Sequence, residues 1–305
     1  MLILIGILFG TALALAFPEP VLWLRPILQP GFAATMFFVG TLVRPEQVRV
    51  FRRNPARTLI GLLVQYTVMP LTAWAISFAF DDPMVRVGVI LVGCMPGAMA
   101  SNVMTLLLRG DLILSVTMTT VATLTCPLIL AFWLPLLADT RLDVDVAALA
   151  WSAVWMVVLP VAAGIVTRHL KAKIPAWWDR AATTIASVSI VLIILVVVAG
   201  NRAHLTTIGP TLAAAMVGLN LSGYSLAFAA AKLLRWPAQQ RRTLVIEVGM
   251  QNAGLGSVLA LAHLGEAGAV PSAFYTVLCV VTAALALPFK NRIKNINKPP
   301  TGTFQ

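Results

Sequence analysis

The chain has 305 residues, of which 59% are hydrophobic and only 11% charged, and its mean hydropathy is +0.91. A soluble domain is about 45–50% apolar and about 25% charged, so this composition excludes an ordinary soluble protein and indicates a polytopic membrane protein. The formal net charge of +11 does not indicate a nucleic-acid-binding protein, because the basic residues lie in short breaks between apolar runs. The 3 cysteines show no spacing typical of a disulfide framework or a zinc site.

Ten apolar runs follow one another along the chain, each about long enough for a membrane-spanning helix. Their approximate limits are Met1–Phe17, Ile27–Val43, Thr58–Phe80, Val85–Leu108, Leu112–Ala138, Val146–Thr167, Ala181–Gly200, Thr211–Leu234, Thr243–His263 and Val270–Phe289. The sequence therefore predicts an all-α membrane protein with ten transmembrane helices.

The basic residues predict how these spans are oriented. If the N-terminus is cytoplasmic, 18 of the 22 Lys and Arg fall in inner loops or in the tail. The predicted outer loops keep only Arg25, Arg86, Arg141 and Arg202. Because positively charged loops stay on the cytoplasmic side, both termini are expected to be cytoplasmic.

Ten spans divide into two sets of five, at residues 1–140 and 141–290, and residues 291–305 form a predicted cytoplasmic tail. An odd number of spans in each set makes the second set enter from the opposite side, which predicts two inverted repeats. The fourth span of each set is interrupted by Gly, Pro or polar residues, at Gly93–Asn102 and at Glu247–Gly256. Interrupted segments at corresponding positions of two repeats indicate the binding site of a transporter.

Glu247 is a carboxylate in the middle of the ninth apolar run, and Gln251 and Asn252 follow it. A charge at membrane depth costs at least ~2.5–3.5 kcal/mol on insertion scales, so Glu247 indicates an ion or substrate pathway. The alternative is a peripheral Glu that snorkels or stays protonated. A helix broken at this depth would leave carbonyl groups that bind cations and N–H groups that attract anions.

Other polar side chains within the spans give weaker signals. Ser115 and Thr119 are four residues apart, so their hydroxyls share one helix face and could converge on one ion. Gln65 is a carboxamide within an apolar span, where it is either interhelical glue or a ligand. Asn220-Leu221-Ser222 fits a glycosylation pattern but lies inside a span, so we set this pattern aside.

Three strings in this sequence resemble one known family. They are Gly-Ala-Met-Ala-Ser-Asn-Val-Met-Thr at 97–105, Arg-Gly-Asp-Leu-Ile-Leu-Ser-Val at 109–116 and Glu-Val-Gly-Met-Gln-Asn-Ala-Gly-Leu at 247–255. They look like the bile acid:sodium symporter family, especially its bacterial members. The resemblance implies two inverted five-helix repeats in which the broken fourth and ninth helices cross. It also implies a core of helices 3–5 and 8–10 and a panel of helices 1, 2, 6 and 7.

The resemblance further implies two sodium sites, carried over onto matching positions of this sequence. The first would use Ser101, Asn102, Ser115, Thr119 and Glu247, and the second would use Gln65, Glu247 and Gln251 with backbone oxygens near Val248 and Met250. Oxygen ligands suit a hard alkali cation.

The resemblance places the substrate beside the same breaks. The N–H groups of Met99, Ala100 and Ser101 and the amide of Asn252 would face a carboxylate or sulfonate. In the tenth span, bacterial relatives carry a Trp-His-Asn string where this sequence has Leu278-Cys279-Val280. Cys279 would then belong to a more apolar wall, and a bile acid, a more apolar organic acid or a small carboxylate such as pantoate or pyruvate all remain open.

The resemblance therefore implies a symporter of the bacterial inner membrane that couples two sodium ions to a small organic anion by alternating access. We expect lipid and the substrate as partners, no nucleic acid, and function as a monomer. A proton-coupled transporter in which Glu247 titrates is the alternative. An intramembrane enzyme is disfavoured because the sequence has no HExxH, no GxSxG and no second carboxylate at membrane depth.

Overall fold

A computed structural model of the protein describes residues 10, 14, 16–44, 48–49, 51–52, 55–138, 144–170, 175–200 and 202–286. These residues are helical almost throughout, and their only β-type pairing is an isolated antiparallel bridge between Gly97 and Gln251. Most of the predicted first span, Met1–Phe17, and the predicted tail at 291–305 lie outside the described residues.

We number the helices in chain order. They are α1 (Pro18–Leu22), α2 (Leu28–Thr41), α3 (Ala56–Ser77), α4 (Pro83–Cys94), α5 (Met99–Leu107), α6 (Leu112–Leu137), α7 (Val146–Ala153), α8 (Leu159–Leu170), α9 (Ala176–Gly200), α10 (Arg202–Leu233), α11 (Ala238–Gly249), α12 (Ala253–His263) and α13 (Gly265–Ala286). A 3₁₀ turn, Arg25–Ile27, precedes α2, and a π-helical turn, Val154–Val158, joins α7 to α8.

The second, third, fifth and sixth predicted spans agree with helices to within about three residues at each end. Two later helices begin earlier than predicted: α10 at Arg202 instead of Thr211, and α13 at Gly265 instead of Val270. Each contains a proline in its interior: Pro210 immediately precedes the predicted start of its span, and Pro271 lies within the predicted span. In a membrane, neighbouring helices can satisfy the backbone groups that a proline frees, so proline does not always end a helix.

Carboxylate and amide side chains fix several helix starts. Asp82 accepts hydrogen bonds from the backbone N–H groups of Met84 (2.8 Å) and Val85 (3.4 Å) at the start of α4. Asp111 caps α6, Asp145 caps α7 and Asn252 caps α12 in the same way. These residues satisfy N–H groups that have no partner within their own helix.

Helices α4 and α12 lie at the centre of the fold. Every residue of α4 from Val87 to Cys94 is buried, and so is every residue of α12 from Ala253 to Ala260. A helix that is apolar all round needs neighbours on every side. α4 supplies buried side chains to both of the large apolar clusters, one with α2, α7–α9 and α12 and the other with α3, α10, α11 and α13.

The exterior is apolar, as expected for a protein in lipid. Large hydrophobic side chains such as Leu63, Leu128 and Trp151 are between 65% and 71% exposed. Four described segments are individually long and apolar enough to cross a membrane: Ala56–Ser77, Leu112–Leu137, Val146–Leu170 and Gly209–Leu233. The predicted fourth and ninth spans are not among them, because each is divided into two shorter helices.

Candidate functional site at the helix crossing

The first break separates α4 from α5. Helix α4 ends at Cys94, and the backbone is extended at Met95 (φ −70°, ψ 152°) and Ala98 (φ −72°, ψ 145°). Pro96 lacks an N–H and disfavours the helical conformation at the residue before it, so the helix stops there. The next helix begins at Met99.

The second break separates α11 from α12. Helix α11 ends at Gly249, and Met250 is extended (φ −106°, ψ 91°). Asn252 leaves the helical region (φ −75°, ψ 65°), and its side-chain oxygen accepts a hydrogen bond from the N–H of Leu255 at 3.2 Å. Only the stretch 250–252 therefore lies between the two helices.

The two breaks cross and are bonded to each other through their backbones. The N–H of Ala98 donates to the carbonyl of Met250, and the N–H of Asn252 donates to the carbonyl of Pro96, both at 2.7 Å. Gly97 and Gln251 face each other between these bonds. Backbone groups that neither helix can satisfy are thus satisfied by the other break, as non-helical backbone at membrane depth requires.

Gly97 provides space for a side chain at this crossing. A Cβ atom on Gly97 would lie 2.5 Å from Oε2 of Glu247, closer than any ordinary contact. Only glycine leaves room for the carboxylate at this point of close approach.

Glu247 lies in the last turn of α11, is fully buried, and accepts hydrogen bonds from three hydroxyl groups. Ser101 Oγ on α5 donates to Oε1 at 2.6 Å, Ser115 Oγ on α6 also donates to Oε1, and Thr119 Oγ1 donates to Oε2 at 2.8 Å. Within the described part of the chain, Glu247 has no cationic side chain as a partner. A buried carboxylate normally requires a counter-charge as well as hydrogen bonds.

Asn102 and Thr105 complete this cluster from α5. Ser115 Oγ lies 2.8 Å from Asn102 Oδ1 and 3.2 Å from Thr105 Oγ1, and Thr119 Oγ1 lies 3.5 Å from Asn102 Oδ1. The structure thus brings together all five residues predicted for the first sodium site. Thr105 was not predicted, although it ends one of the family-like strings and is fully buried.

Of the residues predicted for the second sodium site, Gln65, Gln251 and Val248 are linked by hydrogen bonds at the second break, whereas Glu247 bonds to the first cluster. Gln65 on α3 donates from Nε2 to Oε1 of Gln251 at 3.4 Å, and Gln251 donates from Nε2 to the carbonyl of Val248 at 3.0 Å. Oε1 of Gln65 is buried and has no hydrogen-bond partner among the described residues. An orphaned acceptor oxygen in a fully buried position indicates a missing partner, such as a cation.

The residues predicted to face the substrate occupy different environments. Ala100 is exposed, and Met99 and Asn252 are half-buried, all at the starts of the helices that follow the breaks. Cys279 on α13 is buried, and its Sγ lies 3.9 Å from the carbonyl oxygen of Gly249.

Sequence reasoning missed two polar residues beside the second break. Asn220 on α10 and Tyr275 on α13 both donate to the carbonyl of Gly249, at 2.8 Å and 3.0 Å. A signal for Asn220 was available, because a carboxamide within an apolar span is unusual, as at Gln65.

Comparisons with known proteins identify related membrane transporters. A sequence model of the sodium bile acid symporter family matches residues 29–208. An uncharacterized sodium-dependent transporter, YocS of Bacillus subtilis, is 36% identical over 274 residues, which are 90% of this chain and 85% of the relative. A probable chloroplastic sodium/metabolite cotransporter, BASS1 of Arabidopsis thaliana, is 32% identical over 276 residues, which are 90% of this chain and 69% of the relative.

A human relative extends the comparison to animals. The ileal sodium/bile acid cotransporter of Homo sapiens is 31% identical over 280 residues, which are 87% of this chain and 79% of the relative. All of these relatives are transporters, so the chain is a multi-pass membrane transporter and not an enzyme. On the family match and these identities, this chain belongs to the sodium bile acid symporter family.

Proposed function

We propose that this protein is a sodium-coupled symporter of an organic anion. The observation that carries the proposal is Glu247, a fully buried carboxylate at the crossing whose described partners are all oxygen-bearing neutral side chains. A bound alkali cation would supply the missing counter-charge, and oxygen ligands are those it prefers. The relatives described as sodium-dependent support the choice of sodium.

The first proposed sodium ion would be held by Ser101, Asn102, Ser115, Thr119 and Glu247. The hydroxyl groups of Ser101, Ser115 and Thr119 donate to the carboxylate of Glu247 in the described structure. Each hydroxyl oxygen also has lone pairs that can bind a cation. A cation beside Glu247 would be bound by groups from α5, α6 and α11 together. Binding of this ion would thus depend on the two breaks keeping their positions relative to each other.

The second proposed ion would be held by Gln65, Glu247 and Gln251 with the carbonyl oxygens of Val248 and Met250. The buried, unpartnered Oε1 of Gln65 supports this assignment. Two sodium ions against one carboxylate leave a net charge of about plus one in a region of low dielectric constant. An anionic substrate would neutralise this charge.

The proposed anion would bind at the N-terminal ends of α5 and α12. Met99, which is half-buried, and Ala100, which is exposed, are the first two residues of α5, and Asn252 is the N-cap of α12. Helix N-termini attract anions. A bile acid or a small carboxylate fits this chemistry, and Cys279 would contribute to a less polar wall than a His-Asn pair.

Transport would proceed by alternating access of a ten-helix fold built from two inverted repeats, at residues 1–140 and 141–290. The core would be the third to fifth and eighth to tenth spans, and the panel the first, second, sixth and seventh. Two polar contacts support a closed outer side: Arg25 pairs with Glu266 at 2.8 Å, and Ser152 Oγ lies 2.8 Å from His263 Nε2. Each joins a panel element to a core element, so both would break when the outer side opens.

The proposed location is the bacterial inner membrane with both termini in the cytoplasm, where one chain acts as a monomer. This orientation follows from the distribution of Lys and Arg. Among the described residues of the proposed inner face, Arg57, Arg109 and Arg242 form hydrogen bonds or stacking contacts at the ends of α3, α5 and α11.

Thermal unfolding of the purified protein in sodium chloride and in choline chloride tests the proposal. A ligand at 100 times its Kd stabilises the folded state by about 2.7 kcal/mol, so sodium should raise the unfolding temperature. Glu247→Gln should abolish this shift, whereas Glu19→Gln, an exposed matched change, should retain it. A folded wild-type protein with no sodium-dependent shift would contradict the proposal.

Uptake into proteoliposomes separates sodium coupling from proton coupling. With sodium replaced by choline at fixed pH, sodium coupling predicts loss of concentrative uptake of the transported anion. Undiminished uptake driven by a pH gradient alone would instead favour the alternative in which Glu247 exchanges a proton.

A further inference from the structure

The carbonyl group of Gly249 is held by a pair of buried side chains from two other helices. Asn220 Nδ2 donates to it at 2.8 Å and Tyr275 Oη donates to it at 3.0 Å. Asn220 Nδ2 also lies 3.3 Å from Tyr275 Oη, so its second hydrogen can be donated to the tyrosine oxygen. Asn220 and Tyr275 are both fully buried. All three bonds are compatible with one assignment of donors and acceptors.

This carbonyl is the middle one of three at the end of α11, and its neighbours have other partners. The carbonyl of Val248 accepts from Gln251 Nε2 at 3.0 Å, and the carbonyl of Met250 accepts from the N–H of Ala98 at 2.7 Å. The peptide groups on either side of Gly249 are therefore directed to different elements of the fold. The bonds from α10 and α13 restrict rotation of the peptide group that joins Gly249 to Met250.

Residues of α10 also pack closely against Gly249. A Cβ atom on Gly249 would overlap the ring of Tyr224, and a Cβ atom on Gly223 would lie 3.3 Å from the Cα of Gly249. The Tyr224 hydroxyl is paired instead with Thr282 Oγ1 at 3.3 Å. Tyr224 and Tyr275 thus lie beside one glycine, but only the Tyr275 hydroxyl touches its carbonyl.

We propose that Asn220 and Tyr275 are positioning residues for ion binding, which hold the Gly249 peptide so that the Val248 and Met250 carbonyls keep the geometry that a sodium ion needs. This inference rests on the second proposed sodium site. In this proposal both side chains act through the Gly249 carbonyl, the acceptor of their hydrogen bonds, and not as ligands of the ion. Both act by satisfying a carbonyl that the break of α11 leaves without a helical partner.

Paired tyrosine substitutions test the proposal, because Tyr275→Phe and Tyr224→Phe each remove one hydroxyl from the same neighbourhood. A neutral hydrogen bond contributes about 0.5–1.5 kcal/mol, which corresponds to a change of roughly 2- to 13-fold in a binding constant. In proteoliposomes, Tyr275→Phe should raise the sodium concentration that gives half-maximal uptake of the organic anion by about 2- to 13-fold. The maximal rate at saturating sodium should change little, and Tyr224→Phe should stay within about twofold of wild type on the same scale.

Ion selectivity gives a readout that a loss of stability would not change. Carbonyl groups of Val248 and Met250 that are held less firmly should discriminate less between lithium and sodium. Tyr275→Phe should therefore bring the half-saturation concentrations for lithium and for sodium closer together. Asn220→Ser should act in the same direction and serves as the second variant if Tyr275→Phe does not yield folded protein.

The outcomes separate this inference from the proposed function. If wild-type uptake needs no sodium, the proposed function fails and this inference fails with it. If wild-type uptake is sodium-dependent but Tyr275→Phe and Tyr224→Phe have equal half-saturation and equal selectivity, only the positioning role is overturned.

Discussion

The two breaks at the centre of the fold differ in what they contribute to the site: the first leaves space for a side chain, and the second follows the carboxylate that fills it. The first, at 95–98, supplies backbone bonds and the empty space at Gly97, and its flanking polar side chains are neutral. The second, at 250–252, follows the buried carboxylate and carries the amides Gln251 and Asn252. One break thus provides the charge and the other the space for it. The site exists only where they cross, and this dependence can be tested from either side.

The largest effect is expected from filling the space. Gly97→Ala would place a methyl group 2.5 Å from Oε2 of Glu247. Overpacking costs about 1–3 kcal/mol, so the sodium concentration for half-maximal uptake should rise by roughly 5-fold to 160-fold. Gly31→Ala is the matched control, since nothing lies within 4 Å of its added Cβ and alanine favours the helix. If Gly97→Ala and Gly31→Ala change the sodium half-saturation equally, the space at Gly97 is not required for sodium binding.

Much of this architecture could be predicted from the sequence. The apolar runs predict the helices, and Pro96 and the Gly93–Asn102 string predict where the first break falls. The sequence could not reveal that Gly97 faces Glu247, because that contact joins residues 150 positions apart through a crossing of two backbones. It also placed the start of α10 at Thr211, after Pro210, whereas the helix runs through this proline, because neighbouring helices can satisfy the backbone groups that it frees.

The second-largest effect is expected at Gln65, where sodium binding should change much more than stability. Its Oε1 is buried without a partner among the described residues, and an unsatisfied polar group costs about 1–3 kcal/mol. Gln65→Leu removes this oxygen but also the 3.4 Å bond to Gln251 Oε1, so the unfolding temperature in choline chloride should change little while the additional stabilisation by sodium falls. The Hill coefficient of uptake for sodium should fall from near two to near one. A lower unfolding temperature in choline with an unchanged Hill coefficient would show that Gln65 is a structural residue only.

A comparable effect is expected when a hydroxyl beside Glu247 is removed. Thr119 Oγ1 donates to Glu247 Oε2 at 2.8 Å, whereas Thr117 Oγ1 on the same helix donates to the carbonyl of Ile113 at 2.6 Å. A hydrogen bond to a charged group contributes about 1.5–3 kcal/mol, so Thr119→Val should raise the sodium half-saturation by at least about tenfold. Thr117→Val should leave it within about twofold. Isothermal titration with sodium chloride measures the affinity of each variant. Equal sodium affinities of Thr119→Val and Thr117→Val would show that Thr119 is not a sodium ligand.

The smallest effect is expected at Asn252, whose side chain has both a structural and a proposed substrate role. Its oxygen caps α12, and losing an N-cap costs about 0.5–2 kcal/mol. Asn252→Ala should therefore lower the unfolding temperature by a few degrees, whereas Asn252→Ser keeps a capping oxygen and should not. Both variants lack the amide N–H groups proposed to face the anion, so both should raise the substrate KM at saturating sodium by about the same factor. If Asn252→Ser restores the substrate KM as well as the stability, the amide of Asn252 does not touch the anion, and the polar side chains at the second break, Glu247 and Gln251, would serve ion binding alone.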